Sequence, residues 1–332
     1  MDFPPKAIFA FNANIDHVRT VDEADLKGIE DYSPDLSQMI SECFAWGVQK
    51  ETAIDINACN FFLSGIKFDR RIVGGQAGNA AQQASALGVE CYVHSNFANQ
   101  ELLSLFSHKE KIMVAGEEGF VPAGEFSSVV KSAHHFVLED AASRTRFIAT
   151  YDPFPKHLED NFWRHIEAKL PQIKKAYIGG FHLLSRPERF HKFLAEVKRW
   201  KGINPDLQVF VELGEFQSKE VMELARKELF PVADIVGLND TELAALGVDF
   251  EELTAEARAV LYHSPEQQRI FPDTALNAAA LEFAKRCAAF KAKSGRFAGE
   301  KDVVGFDAGF VERPVETVGL GDAFSSAYFM AL

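Results

Sequence analysis

Residues 319–322 read Gly-Leu-Gly-Asp and open a small-residue, apolar segment, AFSSAYFMAL, that has the character of a helix. Glycines at a helix start leave main-chain N–H groups open. Such groups bind phosphate oxygens and stabilise negative charge as a group is transferred. Asp322 stands where it could accept a proton from a hydroxyl nucleophile. A simple helix cap also uses Asp, but just before the helix and not after two open glycines. Glu212 ends the otherwise apolar run VFVEL, and Asn239 and Glu242 begin the segment NDTEL. Spaced three apart on a first helical turn, Asn239 and Glu242 face the same way. Two carboxylates and an amide at neighbouring strand ends suit Mg²⁺ held mostly through its waters. Taken alone, NDTE reads better as a helix cap with Glu242 favouring the helix dipole.

Two further groups carry amides and an acid. The run FNANID contains Asn12, Asn14 and Asp16, read as the polar end of a first strand. The run IVGGQAGNAAQQASALG, residues 72–88, contains Gly75, with Gln76 and Asn79 at the start of a helix. Glycines let a backbone approach a ligand closely, and a carboxylate among amides suits a polyhydroxylated substrate. By itself GGQAGN reads as a helix start packed on a strand, and it lacks the GxGxxG spacing of a dinucleotide site.

The elements that must position these residues follow from the apolar pattern. Strands are predicted at 6–11, 90–95, 134–139, 146–151, 175–180, 208–213, 234–239 and 302–306. Helices are predicted at 78–87, 187–200, 218–229, 240–246, 274–293 and 321–332. From about Lys175 onward strand and helix alternate with short connections, the pattern of a parallel sheet covered on both faces. In such sheets ligands bind beyond the carboxyl ends of the strands, where the candidate residues collect. The stretch 16–71 begins acidic and loop-rich, then carries a helical pattern. It reads as a lid inserted after the first strand, joined by 138–151. The division is therefore 1–15, 72–137 and 152–332 for a large α/β domain, and 16–71 with 138–151 for a smaller α/β lid.

The chain has 332 residues, 47% hydrophobic and 25% charged, and a net charge of −13. That charge argues against nucleic acid and anionic membranes as partners and leaves an anionic substrate to local donors. The cysteines, Cys43, Cys59, Cys91 and Cys287, form no CxxC pair. They suit reduced thiols in a cytoplasmic protein and offer no zinc site. No run approaches the ~20 apolar residues of a membrane span, and AIFAFNANI is too short for a secretion signal.

Taken in order, the motifs resemble the ADP-dependent glucokinase/phosphofructokinase family of the ribokinase superfamily. VGLGDAFSSA is similar to the superfamily's terminal GxGD motif. The narrower likeness lies in FNANID, IVGGQAGNAA, HHFVLED…TRFIATYDP, KAYIGGFHLL, VELGEFQSKEVMELARKELFPVADIVGLNDTEL and FVERPVETVGLGD. The pieces span nearly the whole chain. The resemblance implies a ribokinase-like, Rossmann-type, mainly parallel sheet with helices on both faces and a smaller lid that closes over a sugar. It implies transfer of the β-phosphate of ADP to a sugar hydroxyl, with release of AMP and with Mg²⁺ bound. It assigns Asp322 as the general base, Gly319 and Gly321 to the anion hole, and Arg146 to the nucleotide phosphates. Glu212, Asn239 and Glu242 fall on its metal motifs. Asp16, Gly75 and Gln76 fall on its sugar contacts, and Glu51 on a lid glutamate of the glucose-type members; Asn14, beside Asp16, is a further substrate-binding candidate.

The chain departs from the family at Phe210, where the HxE motif has histidine, at Thr145 in the usual NRFI, and in its shorter lid and late region. A phosphorylated sugar requires a basic cluster, to which Lys50, Lys67, Arg70, Arg71, Arg144 and Arg186 are the candidates. Glu51 leans instead toward an unphosphorylated hexose. An ATP-using carbohydrate kinase and a non-catalytic sugar- or nucleotide-binding relative are the alternatives. The expected state is a monomer or a homodimer.

Overall fold

A computed structural model describes residues 1–95, 98–128, 131–143, 145–152, 161–264 and 266–332. Among them fourteen strands form two sheets. The strands are β1 (Lys6–Ala10), β2 (Asn14–Thr20), β3 (Lys50–Ala53), β4 (Arg70–Gly74), β5 (Glu90–Val93), β6 (Ile112–Ala115) and β7 (Phe120–Pro122). They continue with β8 (His134–Glu139), β9 (Arg146–Tyr151), β10 (Lys175–Ile178), β11 (Gln208–Glu212), β12 (Ile235–Leu238), β13 (Val260–His263) and β14 (Gln268–Phe271). The large sheet has the order β14-β13-β12-β11-β10-β1-β5-β6-β7. Its neighbours run parallel except at the two margins, β13–β14 and β6–β7. Its central strands are apolar on both faces because helices cover both. Ala7 to Ala10 and Lys175 to Ile178 are buried throughout, and each large apolar side chain so enclosed contributes ~1.5–3 kcal/mol. The strand order reverses about β1, which lies between β10 and β5; a crevice beyond the carboxyl ends forms at such a point.

One covering layer contains the helices Gln76–Ala86, Ala275–Ser294 and Leu320–Ala331. The last has nine consecutive buried residues, Ala323–Ala331. A helix enclosed all round needs no polar face, and its Ala and Ser residues admit close neighbours. Its final carbonyls, of Phe329 and Met330, accept hydrogen bonds from the buried Lys175 Nζ. The ammonium thereby satisfies groups that a helix end leaves open.

The small sheet has the order β3-β9-β8-β2-β4. Helices Glu23–Tyr32, Pro34–Trp46 and Ile56–Gly65 contribute Ile29, Ile40 and Phe62 to a core with Phe136 and Phe147. Three expectations change here. Asn14 and Asp16 do not end the first strand, which stops at Ala10; they stand on β2, in the small sheet. Residues 72–74 and 134–137, placed in the large domain by sequence, are strand residues of the small sheet, because β4 and β8 flank β2. Residues 302–306 are not a strand. A 3-10 turn covers Glu300–Val303, and Asp302 Oδ2 takes the Gly299 N–H at 2.9 Å, a local bond that competes with strand pairing.

The small sheet lies against the segment that leads into Gly319. Val318 packs with Val18 and Val137, and Thr317 Oγ1 donates to Glu139 Oε1 at 2.7 Å. No helix of the described residues is long and apolar enough to cross a membrane.

Candidate active site

Gly319 is the N-cap of the helix Leu320–Ala331 and has φ +68°, in the left-handed region. A Cβ there would lie 2.5 Å from Asn79 Cγ, so both its backbone and its surroundings call for glycine. Gly321 and Asp322 lie in the first helical turn, whose N–H groups have no intrahelical partner. Asn79 Nδ2 donates to Asp322 Oδ2 at 3.0 Å. Burial, then repulsion from Glu212, pushes the Asp322 carboxyl up to about 7 against the bond from Asn79.

Glu212, at the end of β11, is buried, and its Oε1 lies 2.9 Å from His263 Nε2. Its Oε2 and the Tyr177 hydroxyl are enclosed, neither in a hydrogen bond of normal geometry. Phe210, at the position where the family has histidine, is a core residue stacked on Tyr177 at 5.2 Å. An imidazole nevertheless meets Glu212, from β13, two strands away in the sheet. Burial opposes the His263 charge, but Glu212, Glu242 and Asp322 outweigh it and the pKa rises. Asn239 and Glu242 form a reciprocal cap: Asn239 N donates to Glu242 Oε2 at 2.9 Å, and Glu242 N to Asn239 Oδ1 at 2.9 Å. Burial, followed by Glu212, raises Glu242 to about 8.

Among the described residues no three or more His, Cys, Asp or Glu side chains converge as direct metal ligands. The carboxylates still fit a divalent cation held through water. Glu212 keeps one enclosed oxygen unbonded, and Glu212, Glu242 and Asp322 repel one another. A nearby cation relieves that repulsion.

Arg146, on β9, reaches from the small sheet toward the same place. Its guanidinium donates to Thr317 O at 3.3 Å and to Gln49 Oε1 at 2.7 Å. Burial lowers its pKa, while Glu139, Asp16, Glu316 and Asp322 all favour its charge. Arg146 thus lies within the electrostatic reach of both Asp16 and Asp322.

Around Asp16 the structure gathers residues from both sheets. Asn14 Nδ2 donates to Asp16 Oδ1 at 2.6 Å. His135 Nδ1 lies 4.0 Å from the same oxygen, and His135 Nε2 lies 3.3 Å from both oxygens of Asp152. Burial opposes the His135 charge, but Asp152, Asp16 and Glu51 raise its pKa to about 9. Asp16 is pushed up to about 6 by burial against the pull of His135. Glu51, on β3, rises to about 7 through burial and through Asp152, Glu215 and Asp16, again against His135. Gly75 caps the next helix at φ +76°, its α-carbon turned against Asn12 and Asn14. The Gln76 amide is committed to the main chain at both ends, donating to Leu213 O and accepting from Gly180 N at 2.8 Å. It ties the helix start to the chain beyond β10 and β11.

The basic candidates differ in setting. Arg70 bonds Glu316, Arg71 bonds Glu101, Lys67 and Arg186 are exposed, and Arg144 lies outside the described residues. Lys50 acts on Glu215. Sequence reading missed His135, Asp152, Glu215 and His263. His263 had the signal that revealed Glu212, a polar residue ending an apolar strand (VLYH), in a run short enough to overlook.

A family model described as the ADP-specific phosphofructokinase/glucokinase conserved region matches residues 5–273. No curated protein matches the chain. Among solved structures, a hypothetical ADP-dependent phosphofructokinase from Pyrococcus horikoshii OT3 is similar with a TM-score of 0.78 and 17% identity, over 99% of this chain and 98% of its own. An ADP-dependent kinase in complex with fructose-6-phosphate and ADPbetaS gives 0.77 and 17%, over 98% and 93%. The adenosine kinase from Sinorhizobium meliloti gives 0.54 and 17%, over 81% and 76%. At such identities the likeness is one of fold, and the fold is ribokinase-like.

Proposed function

Since the chain belongs to the ADP-specific phosphofructokinase/glucokinase family, we propose that it transfers the β-phosphoryl group of ADP to a hydroxyl of an unphosphorylated hexose and releases AMP. The observation that carries this reading is Asp322, held by Asn79 at an open helix start, within the electrostatic reach of Arg146 from the other sheet. The acceptor follows from the surroundings of Asp16. Asp16, Glu51, Asp152 and Glu215 oppose a sugar phosphate, and they suit hydroxyl groups that donate hydrogen bonds.

The sugar binds on Asp16 and Glu51 between the sheets, with Asn14 and His135 orienting Asp16. Gly75 lets the chain turn closely against Asn12 and Asn14, and Gln76 braces the rim. The small sheet acts as a lid, residues 16–71 and 138–151 with the flanking strands β4 and β8, and excludes water that would otherwise take the phosphoryl group. Asp322 accepts the proton as the hydroxyl oxygen bonds to the β-phosphorus; the bond from that phosphorus to the bridging oxygen breaks, and AMP leaves. The N–H groups at Gly319 and Gly321 and the Arg146 guanidinium stabilise charge on the moving group. Glu212, Asn239 and Glu242 would hold Mg²⁺ through water, and the ion would neutralise part of the diphosphate charge.

The test is a panel of hexoses and hexose phosphates, including glucose and fructose 6-phosphate, incubated with Mg²⁺ and either ADP or ATP. AMP released from ADP with an unphosphorylated hexose is the expected product, and Asp322→Asn should nearly abolish it. Preference for fructose 6-phosphate refutes the acceptor assignment. ADP formed from ATP identifies an ATP-using kinase. No product from any pair favours a binding protein.

A further inference from the structure

Asn79, which holds Asp322, also lines a separate cleft of about 340 Å³. Its walls come from β4, the helix Gln76–Ala86, the segment at Ser107, and the end of the helix Ala275–Ser294 with the turn beyond it. Lys291 points into this cleft and is only 2% exposed. Its ammonium lies 4.4 Å from the centroid of the Phe297 ring and makes no hydrogen bond or close ion pair with the described residues. A charge withdrawn from water this far ordinarily has a bonded partner.

The obvious internal partner is already used. Glu316 accepts from Arg70 at 3.1 and 3.2 Å, and again from Val318 N at 2.9 Å. Burial therefore depresses Lys291 to about 8 despite the field of Glu316. At the rim, the exposed Arg296 guanidinium lies 5.4 Å from the Phe290 ring centroid and has no carboxylate partner among the described residues. Arg71 adds a further cation, paired with Glu101 at 2.8 Å. Two cations without bonded anions among the described residues line one cleft, whose wall also includes Glu316, committed to Arg70, in a chain of net charge −13.

We propose that this cleft binds a phosphate-class anion between the Lys291 ammonium and the Arg296 guanidinium, apart from the GLGD site. An oxyanion satisfies both groups at once, the guanidinium through paired N–H donors and the ammonium as a point charge. The cleft falls within the roughly 300–1,000 Å³ range of ligand pockets, which leaves room for more than a bare phosphate. The phosphate therefore comes either free or as the head of a monoester. Through Asn79 the bound anion sits one side chain from Asp322.

Calorimetric titration of the full chain with inorganic phosphate, and in parallel with glucose 6-phosphate, tests the site at low ionic strength without nucleotide or sugar. The readout is binding alone, so a failed kinase assay leaves it intact. Saturable binding is expected, weakened about tenfold or more by Arg296→Gln and by Ser107→Asp, which places a negative charge at the mouth. Both positions are exposed, but Ser107 Oγ also donates to Gln82 Oε1 at 3.3 Å, so each variant is checked for an unchanged melting profile; Lys291→Met, checked likewise, should weaken binding at least as much. Tighter binding of the monoester identifies it as the source, and equal or weaker binding identifies free phosphate. Binding of neither probe, or binding unchanged in Arg296→Gln and Ser107→Asp, overturns the assignment.

Discussion

Removing the Asn79 side chain should change the pH at which the enzyme works more than the rate it can reach. The Asp322 carboxyl is raised to about 7 by burial and by Glu212, and Asn79 opposes that rise through its 3.0 Å hydrogen bond to Oδ2. A hydrogen bond to an ionised acceptor is worth ~1.5–3 kcal/mol, and one pKa unit corresponds to ~1.4 kcal/mol. Asn79→Ala should therefore raise the Asp322 pKa by roughly one to two units. The sign is fixed because the amide N–H bonds the carboxylate more strongly than the neutral acid. With a shift of ~1.5 units, the ionised fraction at pH 7 falls from about one half to about 3%. That is a loss of roughly fifteenfold in kcat/KM, recovered as the pH passes ~9. A bound divalent cation lowers both pKa values and leaves the displacement between them. The assay is sugar-dependent AMP release between pH ~5.5 and ~9.5 at saturating ADP and Mg²⁺, with melting profiles to confirm the fold. An acidic limb that stays in place, or a loss equal at every pH, refutes the coupling of Asn79 to the proposed base.

Three other substitutions probe the surrounding structure. His263→Ala removes the 2.9 Å partner of the buried Glu212, and should lower unfolding free energy by ~1–3 kcal/mol in urea titrations at pH 7; a change under ~0.5 kcal/mol means the pair is not a structural bond. Gly319→Ala places a Cβ 2.5 Å from Asn79 Cγ at φ +68°, adding ~1–2 kcal/mol of backbone strain and displacing the group that holds Asp322. Turnover should therefore fall well beyond what the loss of stability explains, and an unaffected kcat counts against the proposed anion hole. Lys175 is buried with its pKa lowered from 10.5 to about 8. Below pH ~8 the folded and unfolded forms both carry the proton. Between ~8 and ~10.5 only the unfolded form keeps it, so this lysine makes stability rise with pH. The wild type minus Lys175→Met difference in unfolding free energy should climb across that window by a few kcal/mol, on the order of 3. A flat difference excludes a buried, depressed lysine.

Strands with strong apolar pattern were readable from sequence, most of them one or two residues too long, as with 6–11 for Lys6–Ala10 and 208–213 for Gln208–Glu212, and a few elements to the residue. His134–Glu139, Arg146–Tyr151 and the helix Asp240–Leu246 have the bounds expected of them. The strands that escaped, such as Lys50–Ala53 and Gln268–Phe271, are short edges with exposed or charged residues, whose strand character comes from the neighbour they pair with. Asn14 and Asp16 were visible as candidates, but their element was misread. The break after Ala10 and the pairing of β2 with β4 and β8 depend on chain more than fifty residues away.

The sequence by itself determined the chemical vocabulary and its order: a glycine-flanked acid opening a helix, carboxylates ending apolar strands, and amides beside glycines. These are local facts, set by residue type and by spacings of a few positions. Tertiary structure alone decided which of these groups meet. Asp322 is bonded by Asn79, 243 residues earlier, and Glu212 by a histidine 51 residues later. Asp16 faces His135, which is braced by Asp152. A hydrogen bond demands heavy atoms within about 3 Å. Across such separations that distance is set by sheet order and by the contact of one sheet with the loop entering Gly319, neither of which has a period in the sequence.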